Sequence, residues 1–220
     1  MHRMKRVVIA LAWTACAASI VFSAQNPPAA APQRPQQAPL GPTQWRIDTS
    51  HSAAHFSVRH LMVSTVRGQL GPVSGIVDYD GKDVRSIKAD VTIDVKGLTT
   101  QIQRRDDHLR SPDFFDAPNH PHITFKSKRI EPGSGGAFKM VGDLTIRGNT
   151  KEVVLDVEAL APITKGMQGV VVGTSATTKV KRLEYGLKYN SMVEAGPVVG
   201  DDVSITIDIE ATRPAAPGQS

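Results

Sequence analysis

From Trp45 to about Ala211, apolar and polar residues alternate along much of the chain. The segment 87–95 carries five aliphatic residues at its odd positions and four polar ones between them. The alternation recurs at 153–157 and 203–209. Because successive side chains of a strand point to opposite faces, each segment predicts a strand with one apolar and one polar face. Many such strands and few helical segments predict an all-β fold with a closed sheet.

Nine segments carry a strand pattern, and turn residues separate them. The predicted strands are 54–62, 64–71, 73–80, 86–97, 120–131, 137–146, 151–160, 168–181 and 202–212. Short links between consecutive strands favour antiparallel pairing, as in an up-and-down barrel of about eight strands. Charged residues alternate on the second face, for example at Lys88, Asp90 and Asp94, which suits water and argues against insertion into a membrane.

The interior of an eight-stranded barrel is either filled by side chains or holds one small ligand. The predicted inward positions are mostly Val, Ile, Ala, Gly and Thr, and aromatic residues make up 5% of the sequence. Small lining side chains leave space, so the sequence favours a hollow interior.

One insertion, near 100–117, interrupts the strand pattern. It predicts a short helix over 103–109, which Thr99 or Thr100 would cap. A long connection in a compact barrel is often a lid or a binding loop. The insertion ends in two adjacent phenylalanines, which predict that it packs into the core or over a mouth of the barrel.

The first 24 residues predict a secretory signal peptide, with basic residues at Arg3, Lys5 and Arg6 and an apolar run over 7–22. A retained anchor helix is the alternative. Acylation at Cys16 would require a small aliphatic residue three positions earlier, and Trp13 stands there. Signal removal would leave no cysteine, which excludes disulfides and thiol chemistry in the mature chain. We therefore expect an exported, periplasmic protein that is not a lipoprotein.

Three further segments follow from composition. Residues 25–42 hold six prolines among small and polar residues and predict a flexible linker. The barrel domain is expected over 43–212 and a disordered tail over 213–220. The signal peptide carries three of the 26 basic residues, so 23 remain against 21 acidic ones. This near balance gives no support for nucleic-acid binding.

The residues capable of chemistry match no catalytic or metal-binding motif. The histidines of the domain are His51, His55, His60, His108, His120 and His122, and their spacing predicts neither a metal site nor a cofactor. His60 shares a strand face with Phe56 and Val58, so an inward orientation would require a polar partner, with Asp106 or Arg105 as candidates. The pair Asp106 and His108 could serve acid–base catalysis, or it could belong to a salt-bridged helix. No nucleophile elbow, phosphate loop or dinucleotide motif occurs, so we predict no enzyme activity.

Five motifs in order resemble the bacterial YceI-like family, lipocalin-like proteins implicated in binding polyisoprenoids and other lipids. The motifs are Trp45-Arg46-Ile47-Asp48-Thr49-Ser50-His51-Ser52, Phe56-Ser57-Val58-Arg59-His60, the run from Arg105 to Asp116, Pro121-His122-Ile123-Thr124-Phe125-Lys126-Ser127, and the run from Gly142 to Lys151. The resemblance spans about 45–211. Where the family pattern reads Asn-Arg-x-Asp-Phe-Gly, this chain has Lys181-Arg182-Leu183-Glu184-Tyr185-Gly186.

The resemblance implies an extended antiparallel eight-stranded lipocalin-like barrel, with a short helical insertion near 100–117 and an apolar tunnel. It implies an exported lipid-binding protein that holds a polyisoprenoid or similar long-chain amphiphile for transport, storage or sequestration. It implies no catalytic residues, and a homodimer is compatible with it. Two alternatives stay open: an enzyme acting on a bound lipid through His60, Asp106 and His108, and a ligand-free, stress-related structural protein.

The site residues fall into two groups under this interpretation. The tunnel is expected to be lined by Phe56, Val58, Ile87, Ala89, Val91, Ile93, Phe114, Phe115, Phe125, Met140, Leu144, Val153, Leu155 and Val157, with Phe114 and Phe115 closing a mouth. The candidates for a polar rim or latch are His60, Arg105, Asp106, His108 and Arg182.

Overall fold

A computed structural model of the protein describes residues 38–167, 169–190, 192–193 and 196–215. The predicted signal peptide, Cys16 and most of the predicted linker lie outside the described residues, as does the end of the predicted tail. The predictions made for these segments therefore stay predictions.

The described chain is built almost wholly of strands. The strands are β1 Gln44–Ile47, β2 Ala53–His60, β3 Ser64–Gln69, β4 Val73–Asp78, β5 Lys88–Asp94, β6 His122–Pro132, β7 Phe138–Ile146, β8 Asn149–Val157, β9 Thr164–Gly166, β10 Gly169–Lys181, β11 Met192–Val193, β12 Gly196–Pro197 and β13 Val199–Arg213. The α-helix α1 is Gln103–Arg110, and 3-10 turns lie at Val84–Ser86, Val95–Gly97, Ser134–Gly136 and Arg182–Tyr185. With eight residues, α1 is too short to cross a membrane, and the described residues contain no longer helix.

Eight antiparallel strands close into a barrel. Their order is β13, β1, β4, β5, β6, β7, β8 and β10, and β10 pairs again with β13 along a ladder that runs from Val170↔Arg213 to Lys181↔Asp202. The predicted eight-stranded antiparallel barrel is therefore confirmed. The pairing of β8 with β10 is much shorter and joins Ala176 to Val157 and Thr177 to Asp156.

The hairpin of β2 and β3 extends the barrel beyond its closed part. Strands β1 and β2 both pair with β13, β1 near Ala211 and β2 between Val199 and Asp208. The chain then bends at Gly71, between β3 and β4. A Cβ atom there would lie 1.6 Å from the carbonyl oxygen of Asp94, so the close approach of these two backbones requires glycine.

The predicted alternation decides which side chains enter the core. In β6, Ile123 and Phe125 are buried while the residues on either side of them are exposed. Outward charges pair across strands, as Lys139 Nζ does with Asp156 Oδ1 at 2.6 Å. All nine predicted strands are present with shifted ends, whereas β1 and the two- and three-residue strands were not predicted. Strand β1 spans only four residues, too few to show a period by itself.

The helix of the insertion lies where it was predicted, but its capping differs from the prediction. Neither Thr99 nor Thr100 caps α1, because the N-cap residue is Ile102 and makes no side-chain cap bond. The two threonines instead donate hydrogen bonds to the carboxylate of Asp106, within the first turn of the helix. A capping threonine would accept a hydrogen bond from the backbone of the helix, whereas here the threonines donate to a side chain of the helix. These bonds tie α1 to the loop that precedes it.

Candidate functional site

A cavity of about 140 Å³, called cavity one here, lies inside the closed barrel. Its walls are almost wholly apolar side chains, mostly from the barrel strands, and Tyr79, Thr174 and Thr178 are the lining residues that carry a side-chain oxygen. Nine residues predicted to line the tunnel do line this cavity: Ile87, Ala89, Val91, Ile93, Phe125, Met140, Leu144, Leu155 and Val157. The predicted hollow interior is thus present as a geometric feature.

Several residues of cavity one were not predicted as lining residues. They include Trp45, Tyr79, Val172, Ala176, Ile205 and Ile207. The alternation over 203–209 already placed Ile205 and Ile207 on an apolar face, so that signal was available in the sequence. The indole of Trp45 lies between Arg213, whose guanidinium carbon is 4.4 Å from the ring centroid, and Tyr79, whose carbonyl accepts the Nε1–H at 3.0 Å.

A second cavity, cavity two, adjoins the first and has a volume of about 270 Å³. Residues from the β2–β3 hairpin, α1 and the loop after it, the turn at 182–185 and the start of β13 line it. Leu70, Ile123, Ile146 and Ile205 line both cavities, so they form the partition between them. Of the predicted site residues, cavity two is lined by Phe56, Val58, His60, Arg105, His108, Phe114, Phe115 and Arg182.

Two predicted site residues line neither cavity. Val153 lies half-buried on β8 and packs against the apolar core. Asp106 is 4% exposed and accepts from Thr100 N at 2.7 Å, from Thr99 Oγ1 at 3.0 Å and from the hydroxyl of Thr100. These bonds turn both carboxylate oxygens towards the threonines, and no hydrogen bond or ion pair joins Asp106 to His60, so Asp106 is not the partner of His60 that the sequence suggested.

The protonation of Asp106 follows from these contacts. Burial alone raises the pKa of this carboxyl, but the hydrogen bonds from Thr100 and Thr99 and the nearby charge of Arg110 outweigh burial. The pKa of Asp106 lies below its ordinary value as a result. The carboxylate is charged at neutral pH and fixes the start of α1, and with it the wall of cavity two.

Arg182 is the most deeply buried cation of cavity two, at 4% exposure. It donates to four backbone carbonyls: Nε to Gly200 at 2.8 Å, Nη1 to Leu187 at 2.5 Å and to Tyr189 at 2.8 Å, and Nη2 to Val199 at 3.0 Å. Burial lowers the pKa of Arg182, and the charge of Asp201 opposes this shift. The guanidinium therefore holds the 182–190 segment against the start of β13 and adds positive charge to the cavity wall.

The other polar residues of cavity two are oriented by local contacts. Arg105 donates from Nε to Thr100 Oγ1 at 2.7 Å and from Nη2 to the Thr100 carbonyl at 3.1 Å. The Nε2 atom of His108 lies 2.9 Å from Asp113 Oδ2, and its ring packs edge-on against Phe114 and Tyr189 with centroid distances of 5.1 and 4.7 Å. The carboxylate partner of His108 is thus Asp113, a pairing that residue spacing alone did not single out.

The catalytic alternative required His60, Asp106 and His108 to converge. His60 and His108 both line cavity two, whereas Asp106 faces Thr99 and Thr100. The three side chains therefore do not form the acid–base group that this alternative required.

A separate polar cluster lies on the surface where β1 ends. His51 Nδ1 is 3.0 Å from Asp48 Oδ2 and 3.7 Å from Glu210 Oε1. Among the described residues this is the one group of histidine and acidic side chains close enough to share a metal ion. The hydrogen bond to Asp48 raises the pKa of His51, and the same bond lowers the pKa of Asp48. These hydrogen bonds account for the arrangement without an ion.

Comparisons with known proteins agree with this architecture. A UPF0312 protein from Staphylococcus aureus, SA2479, is 36% identical to this chain over 170 residues, which cover 76% of this chain and 96% of that protein. The crystal structure of the Campylobacter jejuni YCEI protein is similar with a TM-score of 0.61 and 34% identity, covering 70% of this chain and 89% of that one. A polyisoprenoid binding domain from Saccharophagus degradans shares the fold with a TM-score of 0.59 and 14% identity, covering 77% of this chain and 98% of that one.

The family assignment depends on the whole domain and on no single residue. The sequence model of the YceI-like domain matches residues 45–211, which contain every strand of the closed barrel except part of β1 and the last residues of β13. All the residues that line the two cavities fall within this span. The chain belongs to the YceI-like family.

Proposed function

We propose that this protein binds a polyisoprenoid or a similar long-chain amphiphile, with the hydrocarbon chain in cavity one and the polar head in cavity two. The observation that carries the proposal is the adjacency of the two cavities, one apolar and the other bordered by cations. Such a protein would transport, store or sequester its lipid, and the proposed role uses no catalytic residue.

Cavity one fits a hydrocarbon chain because it offers such a chain almost no hydrogen-bonding partner. Burial of hydrocarbon there would contribute about 0.8 kcal/mol for each CH₂ removed from water. Apolar binding of this kind tolerates variation in the length and branching of the chain. Selectivity would therefore come from the other end of the ligand.

Cavity two fits a polar head because three arginine residues line it. Arg59, Arg105 and Arg182 all line the cavity, and the hydrogen bonds described for them go to hydroxyl and carbonyl oxygens, not to carboxylates. Their charge is thus available to a negatively polarised ligand atom. The side chains of the partition residues Leu70 and Ile205 would have to move aside for one ligand to occupy both cavities.

Further support comes from the comparisons. The related domain from Saccharophagus degradans is described as polyisoprenoid binding, and the family resemblance points to the same ligand class. We also propose export to the periplasm, on the basis of the basic and apolar pattern of residues 1–24. An amphiphile carrier is useful in a compartment between two membranes.

The decisive experiment is extraction of the protein purified under native conditions with organic solvent, followed by mass spectrometry. We expect a stoichiometric amphiphile from the wild-type protein. The variant Ala176→Phe should lose most of it, because Ala176 is a buried wall residue of cavity one and a phenyl ring would occupy the space. Thr177→Phe places the same ring at the next, exposed position of β10 and should retain the lipid.

The ligand-free alternative makes the opposite prediction. In a purely structural barrel, Ala176→Phe would fill a void and raise the free energy of unfolding without changing the extract. Wild-type protein that repeatedly yields no lipid would also contradict the proposed function. The volumes of the two cavities already argue against that alternative, because packed interiors contain few voids larger than a water molecule.

A further inference from the structure

Tyr185 carries a polar atom whose burial the fold does not explain. The residue is 1% exposed, lies in the turn at 182–185 and lines cavity two. Its backbone carbonyl accepts a hydrogen bond from Asn149 Nδ2 at 3.0 Å. Its hydroxyl, Oη, has no hydrogen-bond partner among the residues that the structure describes, and it is the one buried side-chain polar atom there in that condition.

A buried hydroxyl without a partner is unfavourable and uncommon in native proteins. Phenylalanine would supply the same ring without this cost. Burial raises the pKa of Tyr185 to about 12, with a smaller contribution from the charge of Glu184, so the hydroxyl stays protonated at neutral pH and can donate a hydrogen bond. The hydroxyl is therefore a donor held ready inside the molecule.

The residues around Tyr185 favour a ligand that carries a hydrogen-bond acceptor. The guanidinium of Arg182, in the same turn, donates its hydrogen bonds to the backbone carbonyls of Gly200, Leu187, Tyr189 and Val199. Arg182 therefore contributes positive charge to the wall of cavity two, whereas a hydrogen bond to the ligand would have to come from another residue. Tyr185 belongs to the same turn and lines the same cavity, and its hydroxyl is buried.

We propose that Tyr185 donates a hydrogen bond to an oxygen atom in the polar head of the bound lipid, and that this bond selects oxygen-bearing amphiphiles over plain hydrocarbons. The inference rests on the proposed function and deepens it, because it names the donor and the ligand chemistry that the donor recognises. Hydroxyl, carbonyl, carboxylate and phosphate heads all present such an oxygen. The positive charge nearby favours the anionic members of this series.

The test compares wild-type full-length protein with Tyr185→Phe, both freed of lipid. The ligands are a C20 isoprenoid alcohol and the hydrocarbon that has hydrogen in place of its hydroxyl. Binding is followed by the fluorescence of Trp45, which lines cavity one. We expect the substitution to weaken binding of the alcohol about five- to tenfold and to leave binding of the hydrocarbon within about twofold.

Thermal unfolding of the ligand-free proteins supplies a second readout. Loss of an unpartnered buried hydroxyl should leave the unfolding midpoint unchanged or raise it. If Tyr185→Phe lowers the midpoint, or weakens the alcohol and the hydrocarbon equally, the hydroxyl has a structural role and the inference is wrong. If the wild-type protein binds neither ligand, the proposed function fails together with the inference. If it binds both and the variant does the same, only the inference fails.

Discussion

Cavity one and cavity two share a partition but are built in different ways. The wall of cavity one consists of inward residues on barrel strands, and it presents hydrocarbon almost everywhere. The wall of cavity two combines a hairpin, a helix and a 3-10 turn, and its charged side chains are held by backbone carbonyls and hydroxyls. The strands thus provide volume, whereas the connections provide polarity and direction.

The largest expected effect is at Arg182 in cavity two. Arg182→Met removes a cation that satisfies four carbonyls, and it should lower the free energy of unfolding by about 3–5 kcal/mol. Urea denaturation measures the change. In cavity one, Met140→Leu conserves volume and should cost less than about 1.5 kcal/mol. If the two substitutions lowered the free energy of unfolding equally, the wall of cavity two would not depend on charge more than the wall of cavity one does.

The next largest loss of stability is expected at Asp106, which holds the start of α1 in place. Asp106→Asn removes one acceptor and the charge that Thr99 and Thr100 bind, and should cost about 1–2 kcal/mol at pH 7. Because the pKa of Asp106 is lower in the folded state, its contribution is present above the ordinary value of 3.8 and is lost as pH falls through the folded value. The difference between wild type and variant should therefore shrink in acid.

Urea denaturation at pH 7 and near pH 3 tests the contribution of Asp106. Asp107→Asn is the matched control, because Asp107 is the exposed neighbour on the same helix. A difference between wild type and Asp106→Asn that does not depend on pH would show that charge does not anchor this wall.

A smaller effect of opposite sign is expected in the β2–β3 hairpin, beside cavity two. Leu61 and Met62 occupy its turn with φ values of 50° and 56°, which side chains of this size rarely adopt. The double substitution Leu61→Asn, Met62→Gly should raise the free energy of unfolding by about 1 kcal/mol. Thermal unfolding measures the gain. A loss of stability would mean that these side chains make contacts that outweigh the backbone strain.

The smallest effect should be at His51, in a surface cluster that lines neither cavity. Because its pKa is raised in the folded state, its contribution is present below the ordinary value of 6.5 and is lost as pH rises through the folded value. Asp48, with a lowered pKa, contributes above 3.8 and loses its contribution in acid. The destabilisation by His51→Asn should therefore be greatest near pH 5 and decline by pH 8. His55→Asn, at an exposed position of β2, is the control in the same urea titrations.

The sequence predicted cavity one better than cavity two. Residues such as Ala89, Phe125 and Leu155 were assigned to the interior because the side-chain period of a strand is a local property. Asp106 was assigned to the rim because it belongs to a charged run, and its burial against Thr99 and Thr100 has no periodic signal. Val153 shows the limit of the period itself, since it shares the inward parity of Leu155 but lies outside the cavity wall.

The alternation of apolar and polar residues determined the strands, the inward face of each strand and the polarity of the interior. These properties follow from the chemistry of neighbouring residues. Only the tertiary structure decided that β10 closes the barrel on β13, that Arg182 is surrounded by four carbonyls and that the hydroxyl of Tyr185 is buried with no partner among the described residues. Each of these depends on segments distant in sequence, because the partners of a buried polar group are set by which backbones meet around it.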